Sequence, residues 1–114
     1  MSASDQLLPA SLIVRTVASG TRSLRVVLDG ELDLASAPQL EEALERAFAD
    51  ADDVVLDLSQ VPFMDSSGLY TIVAAVRESQ TNGKRLRIRS SLSAQVARLL
   101  HLVGMSESLP MVEE

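Results

Sequence analysis

The sequence predicts an α/β fold in which amphipathic helices cover a mixed β-sheet, with the element order β-β-α-β-α-β-α and a short tail. Strand-like apolar runs alternate with segments of helical period, which is typical of this class. The 114 residues are enough for one domain, and 46% of them are hydrophobic. Only 3% are aromatic, so we expect a core of aliphatic side chains from helices packed on a sheet.

The N-terminal part predicts a lead-in followed by a β-hairpin. Residues 1–10 mix small, polar and proline residues without a period, and we expect them to be loosely ordered. Apolar runs at 12–17 and 24–28 flank a turn-like segment at 18–21. Two such runs joined by a short glycine-containing loop predict a hairpin, whose second strand leads into the string Gly30–Asp33.

The next segment predicts a helix and then a buried strand. Ser36, with Gln39 three residues later, is a capping-box pattern, and Pro38 stands in the first turn, where its missing N–H costs nothing. Apolar residues recur at helical spacing from 40 to 48, with charged residues between them. Residues 54–58 are nearly continuously apolar, which is typical of a strand buried on both faces.

The C-terminal half continues the alternation. A linking segment at 59–68 precedes a second helix with an apolar stripe from 69 to 76, which Asn82–Gly83 ends in a turn. Residues 86–89 alternate with period two and predict a strand with three arginines on one face, namely Arg85, Arg87 and Arg89.

A third helix is expected to begin near Ser90 or Ser91 and to end at Gly104. The tail at 109–114 is expected either to add an edge strand or to stay loose. Functional loops lie at the carboxyl ends of parallel strands, and two of those ends are residues 30–33 and 59–68.

Composition and missing motifs exclude several classes of function. The chain has no cysteine and one histidine, His101, which excludes disulfides, thiol catalysis and a zinc or other metal site, and we expect no cofactor. A formal charge of −6 argues against nucleic-acid binding. No signal peptide or membrane-length apolar run is present, so we expect a cytoplasmic protein without a membrane partner. A P-loop, a GxGxxG string and a GxSxG elbow are also missing, and we expect no enzyme.

The string Asp65-Ser66-Ser67-Gly68 places two hydroxyls at the start of the second helix. Backbone N–H groups there lack intrahelical partners and favour negative charge, so a phosphate on Ser66 would be accommodated. From spacing alone, however, the better interpretation is that Ser66 is an ordinary N-cap.

The whole set of motifs resembles a known family. The strings GELD at 30–33, DLS at 57–59, FMDSSGL at 63–69 and VARLLHLVG at 96–104 are similar, in order and spacing, to the anti-sigma factor antagonists built on the STAS domain. The resemblance covers residues 11–112 and implies a single STAS-type domain over that range.

The resemblance implies a partner switch. Ser66 would be phosphorylated by an anti-sigma factor that is itself a serine kinase, with Asp65 and Asp33 nearby and with Ser67, Gly68 and Leu69 completing the motif. The unmodified protein would bind the anti-sigma factor and free sigma for transcription in a stress or sporulation response. The phosphorylated protein would let go, and a separate phosphoserine phosphatase would restore it. A weak homodimer is left open.

Tyr70 is a departure, because many relatives have a small residue there, and it implies that partner choice differs.

Two other functions stay open. The first is a STAS accessory or scaffold subunit of a transporter or signalling assembly that does not act on a sigma factor. The second is a receiver-type protein phosphorylated on Asp57, although it lacks the acidic pair and the lysine that a receiver needs. A basic cluster, Lys84, Arg85, Arg87 and Arg89, is either a solvated strand face or a docking patch for an acidic partner surface.

Overall fold

A computed structural model describes residues 12–113 and has the expected α/β architecture. A single five-stranded sheet runs in the order β1-β2-β3-β4-β5. The strand pair β1–β2 is antiparallel, and the later pairs are parallel. The strands are β1 (Leu12–Gly20), β2 (Ser23–Gly30), β3 (Asp53–Gln60), β4 (Arg85–Arg89) and β5 (Met111–Val112), and the helices are α1 (Ala37–Asp50), α2 (Ser66–Thr81) and α3 (Ala94–Leu102). The predicted element order is confirmed, with β5 as the tail strand.

The three helices pack on one face of the sheet. Each parallel crossover moves one strand further in the same direction. With the right-handed connection that is general for such crossovers, successive helices lie on the same side. All three helices contribute to one aliphatic cluster with alternate strand residues, including Leu40, Ile72, Val96, Val26, Leu56 and Ile88. Val55 is 4% exposed but lies outside this cluster, because its side chain points to the opposite face of the sheet.

The hairpin is confirmed, but its turn is shorter and later than the sequence indicated. The strands continue to Gly20 and restart at Ser23, so the turn consists of Thr21 and Arg22, and the register shifts between Ala18 and Gly20. Arg22 adopts a φ of 54°, and its carbonyl oxygen accepts hydrogen bonds from the Asp52 and Asp53 amides. These tertiary bonds, together with the Arg22–Asp52 ion pair, hold a non-glycine residue in the left-handed region.

The first helix begins where predicted, but the capping box is wrong. Ser36 caps no amide of α1, and its hydroxyl instead donates to the Glu31 carbonyl and accepts from the Asp33 amide. The Gln39 side chain donates to the Leu12 carbonyl at 3.0 Å, so it joins α1 to β1. The capping-box prediction failed because the Ser36 side chain bonds to the turn before α1 and the Gln39 side chain bonds to β1.

The third helix begins three to four residues later than predicted. Ser93, rather than Ser90 or Ser91, is the N-cap, and its hydroxyl accepts from the Val96 amide. Ser90 instead donates its amide to Val112 and thereby continues the β4–β5 pairing. Gly104 ends the helix with a φ of 75°, as expected.

The predicted lead-in at residues 1–10 lies outside the described residues. None of the helices within residues 12–113 combines the length and the hydropathy that a bilayer crossing requires.

Candidate functional site

Two loops at the carboxyl ends of β2 and β3 are joined through their backbones. The Leu32 amide donates to the Phe63 carbonyl at 3.0 Å, and the Asp65 amide donates to the Leu32 carbonyl at 3.1 Å. Leu32 and Met64 form an isolated parallel bridge, and both side chains are buried. This bridge fixes the segment that begins with Asp33 beside the segment that begins with Asp65.

Asp65, not Ser66, caps the second helix. Its carboxylate accepts the Gly68 amide at 3.1 Å, so the N-cap interpretation of Ser66 is wrong. Ser66 is the first residue of α2, and it is exposed. The cap is taken by the residue before it, so the Ser66 side chain lies at the surface near the positive end of a 16-residue helix.

Gly68 and Leu69 pack the start of α2 against the Leu32–Met64 bridge. A β-carbon at position 68 would lie 2.7 Å from the Leu32 carbonyl oxygen and 3.1 Å from the Met64 Cγ. Leu69 is 6% exposed and belongs to the aliphatic core. The two residues therefore position Ser66 through packing, and Ser67 is half-buried beside them.

Asp33 organises the turn that precedes α1. One carboxylate oxygen, Oδ1, accepts the Ala35 amide and the Ser36 amide, both at 3.0 Å. This is the role of a turn aspartate. Any contribution of Asp33 to kinase recognition stays a prediction.

A surface groove of about 520 Å³ runs past Ser66 between the first turns of α1 and α2. Its rim is apolar, because the lining residues Leu34 and Tyr70 are each 74% exposed. Outside the groove, Phe63 on the loop before Ser66 is 39% exposed. Large exposed apolar side chains that cluster in this way mark binding surfaces. The groove is lined by Leu34, Ala37, Pro38, Glu41, Ser66, Ser67, Tyr70 and Thr71.

Gln95 is a positioning residue that sequence reasoning missed. Its side-chain amide accepts from the Met64 amide at 2.8 Å and donates to the Met64 carbonyl at 3.0 Å, which ties α3 to the loop before Ser66. Sequence separation hides this contact, because nothing local distinguishes Gln95 from another polar helix residue.

Asp57 does not lie at a strand end. It is 5% exposed within β3, and its Oδ1 accepts the Ser59 hydroxyl at 2.6 Å while its Oδ2 accepts from Arg89 at 3.2 Å. Burial raises the pKa of Asp57, but the Ser59 hydrogen bonds and the charges of Arg89 and Arg25 outweigh it and lower the pKa. This fully engaged carboxylate, away from the strand end, disfavours the receiver interpretation.

The predicted basic cluster divides into different environments. Lys84 donates to the carbonyls of Phe48 and Ala51 at the end of α1, so it acts as a structural tie. Arg85 pairs with Asp53 at 2.7 Å, and Arg87 and Arg89 are half-buried on the same face of the sheet. His101 is exposed in the last turn of α3.

The chain is similar to known proteins over most of its length. The family model described as "STAS domain" matches residues 14–114. An anti-sigma-B factor antagonist of Staphylococcus aureus is 34% identical over 83 residues, which are 72% of this chain and 76% of the relative.

Solved structures agree with this match. An anti-sigma factor antagonist from Mycobacterium paratuberculosis, 27% identical, superposes with a TM-score of 0.78 over 94% of this chain and 90% of its own. The phosphorylated form of the Bacillus cell fate determinant SpoIIAA, at 18% identity, shares the fold with a TM-score of 0.66 over 90% of this chain and 93% of its own.

Proposed function

The chain belongs to the STAS domain family, in the group of anti-sigma factor antagonists, and we propose that phosphorylation of Ser66 switches its binding to an anti-sigma factor. The unphosphorylated protein binds an anti-sigma factor that is also a serine kinase, and sigma is released. The phosphorylated protein dissociates until a phosphoserine phosphatase restores it. The protein acts in the cytoplasm as a binding module, not as an enzyme.

The observation that carries this proposal is the exposure of Ser66 between apolar side chains. Leu34 and Tyr70 project on either side of the same groove, which provides a contact surface centred on a hydroxyl that a kinase can reach. A serine that capped α2 would have its oxygen engaged, but Asp65 performs that function here. The Bacillus relative is described in both unphosphorylated and phosphorylated forms, which supports the same chemistry in this fold.

The local charges explain how a phosphate would release the partner. A phosphoserine carries nearly two negative charges at neutral pH, and it would join Asp65 and the groove residue Glu41. The N-terminus of α2 offsets part of the added charge within the domain, so the fold is retained. At the interface with the partner, nothing comparable offsets the added negative charge. The phosphate would lie between Leu34 and Tyr70 and would remain incompletely solvated there.

The test is to label the protein with its cognate kinase, captured by a pull-down with the unphosphorylated chain. Ser66→Ala is expected to abolish labelling and to leave binding of the anti-sigma factor intact. Ser67→Ala is the matched control and is expected to be labelled at Ser66. A phosphate mapped by mass spectrometry to Ser67 would contradict the assignment.

The same labelling separates the alternative functions. An acid-stable phosphoserine supports the antagonist, whereas an acid-labile acyl phosphate formed from acetyl phosphate and Mg²⁺ would indicate a receiver. A chain that is captured with a transporter or scaffold, and that takes up neither modification, would instead be an accessory STAS subunit.

A further inference from the structure

A second groove lies between α1 and α2, and we call it the acidic groove. It has a volume of about 550 Å³. It is continuous with the groove beside Ser66, because Glu41 and Thr71 line both. Its apolar lining includes Leu44, Phe48 and Ala75. A groove of this size has room for several apolar side chains of another molecule.

Negative charge lines both edges of the acidic groove. Glu41 and Glu45 stand one helical turn apart on α1, Glu78 stands on α2, and all three side chains are exposed. Within residues 12–113 none of these three carboxylates forms an ion pair. Lys84, which also lines the groove, donates to two backbone carbonyls at the end of α1. Its ammonium group is therefore engaged inside the domain, and the glutamates remain available to a basic partner.

The exposed face of α3 has the opposite character. The helix contains no acidic residue, and Arg98, His101 and Leu102 lie on its exposed face at spacings of three and four positions. Leu102 is 71% exposed, although it is one of the larger apolar side chains of the chain. Arg98 forms no ion pair within the described part of the chain. The face thus presents an apolar side chain between two basic ones.

The acidic groove and α3 also match in length. Residues 41–49 of α1 line the groove, and α3 is nine residues long, so each covers about 12 to 14 Å of helix. A helix can pack between two others when its side chains fit the grooves between theirs. Carboxylates on both edges suit a helix that carries basic residues on either side of an apolar one. The two surfaces are therefore complementary in length, charge and polarity.

We propose that α3 of one copy of this chain docks in the acidic groove of a second copy. Leu102 leaves water and packs on the apolar lining, and the Arg98 guanidinium binds a glutamate of the rim through paired donors. The His101 imidazole donates an N–H to a carboxylate of the rim. Ser66 does not line the acidic groove, so the inference does not rest on the Ser66 switch.

This contact joins two different surfaces and therefore runs head to tail. The helices follow the strand order along the sheet, so α2 separates α3 from the groove of its own copy. Each docked pair keeps one free groove and one free α3, and further copies can add at both ends. The interface is made by one short helix, and interfaces of that small size are weak. We therefore expect self-association only at high protein concentration.

The test is sedimentation equilibrium of the full chain from about 0.02 to 1 mM at low salt, where surface charges are least screened. The average mass of the parent is expected to rise with concentration beyond that of a dimer. Leu102→Asp disables α3, and Glu41→Arg/Glu45→Arg disables the groove. Each variant alone is expected to self-associate about tenfold or more weakly than the parent. The substituted side chains are exposed, so we expect both variants to fold.

A mixture of the two variants tests the head-to-tail geometry. The groove variant keeps an intact α3, and Leu102→Asp keeps an intact groove. An equimolar mixture is therefore expected to regain the affinity of the parent and to stop at a pair with one copy of each variant. No symmetric dimer interface would produce this result.

Two controls match these changes elsewhere on the surface. Val17→Asp replaces an exposed apolar side chain on β1, and Glu107→Arg/Glu113→Arg reverses two exposed charges near the C-terminus. Both are expected to self-associate within about twofold of the parent, because neither touches α3 or the groove. Ser66→Ala is also expected to behave as the parent, which separates this contact from the phosphorylation switch.

Three results would overturn the proposal. The first is a parent chain that stays monomeric over the whole range, which would leave the acidic groove to a basic helix of a different protein. The second is association that ends at a dimer or that the variants and their controls weaken equally. The third is a mixture of the two variants that associates no better than either variant alone.

Discussion

Gly68 lies in the first turn of α2, close to the backbone of Leu32. A β-carbon there would be 2.7 Å from both the Leu32 carbonyl oxygen and the Leu32 Cγ, so the helix start and the bridge would have to separate. The glycine of the DSSG string is thus required by the packing that presents Ser66. This requirement is independent of whether Ser66 is phosphorylated.

Gly68→Ala is therefore expected to destabilise the protein. Glycine to alanine inside a helix normally stabilises by about 1 kcal/mol, whereas overpacking at this contact should cost about 1 to 3 kcal/mol. Urea unfolding measures the difference, with Ser67→Ala in the same helical turn as the control. An alanine variant as stable as the parent would show that Leu32 moves aside freely.

Two substitutions of Asp33 separate the contribution of its hydrogen bonds from the contribution of its charge. Asp33→Asn keeps an oxygen that can accept the Ala35 and Ser36 amides, so we expect little change in the free energy of unfolding. Asp33→Ala removes that acceptor and is expected to cost about 1 to 2 kcal/mol, as does the loss of a helix cap. If Asp33 also contributes charge to kinase recognition, the asparagine variant will fold normally but be phosphorylated more slowly. Equal destabilisation by both changes would contradict this division.

At the scale of elements, the side chain of Gln95 links α3 to the Ser66 loop. Gln95→Ala leaves the backbone N–H and C=O of buried Met64 without these partners, which is expected to cost about 1 to 3 kcal/mol. Hydrogen exchange at the Met64 amide should accelerate more than exchange in the centre of β3. Gln80→Ala, an exposed glutamine near the end of α2, serves as the control. Unchanged Met64 exchange would mean that the Leu32 bridge alone holds the loop.

The pairing of β3 with β4 includes a charge that depends on pH. The pKa of Asp57 is lowered in the folded protein, so its stabilising contribution is fully present above the unfolded pKa of about 3.9. That contribution is lost as the pH falls through the lower folded pKa. Asp57→Asn is accordingly expected to lower the free energy of unfolding at pH 7 by about 1 to 3 kcal/mol and by a smaller amount at pH 2. An equal loss at both pH values would show that packing, rather than ionisation, is responsible.

The matched control for this pH dependence is Asp29→Asn, at an exposed position on the same face of the sheet. It is expected to produce a much smaller difference between pH 7 and pH 2.

Apolar periodicity was sufficient to predict the elements, whereas the ends and side-chain partners depended on tertiary contacts. The alternation at 86–89 correctly placed its three arginines on one face, because period two follows directly from strand geometry. The predicted start of α3 was wrong because several serines precede the helix. The pairing of Ser90 with β5 leaves Ser93 as the N-cap. The Gln95 contact was missed for the same reason, as it joins residues 31 positions apart.

On the scale of the whole molecule, phosphorylation would take the net charge from −6 to about −8 without a large rearrangement. The two negative charges of the phosphate and one carboxylate charge about 6 Å away repel each other by roughly 5 kcal/mol before screening, at an effective dielectric constant near 20. A loss of about 3 to 4 kcal/mol would weaken binding of the anti-sigma factor several hundredfold.

Amide spectra of the free protein before and after phosphorylation check this expectation, together with affinities for the anti-sigma factor. Shifts should be confined to Asp33 and residues 63–72. Shifts spread over the sheet and α3 would show that the domain rearranges.

The strand order of the sheet follows the order of the chain, and this bears on how the protein folds during synthesis. Every strand pairs with the one made just before it, so the sheet grows outward in one direction. Each closure spans a turn or one helical connection, which limits its entropic cost and favours rapid folding. The first three strands can therefore pair with one another before β4 and β5 have been synthesised. The two-residue β5 joins last, at the edge where the sheet stops growing.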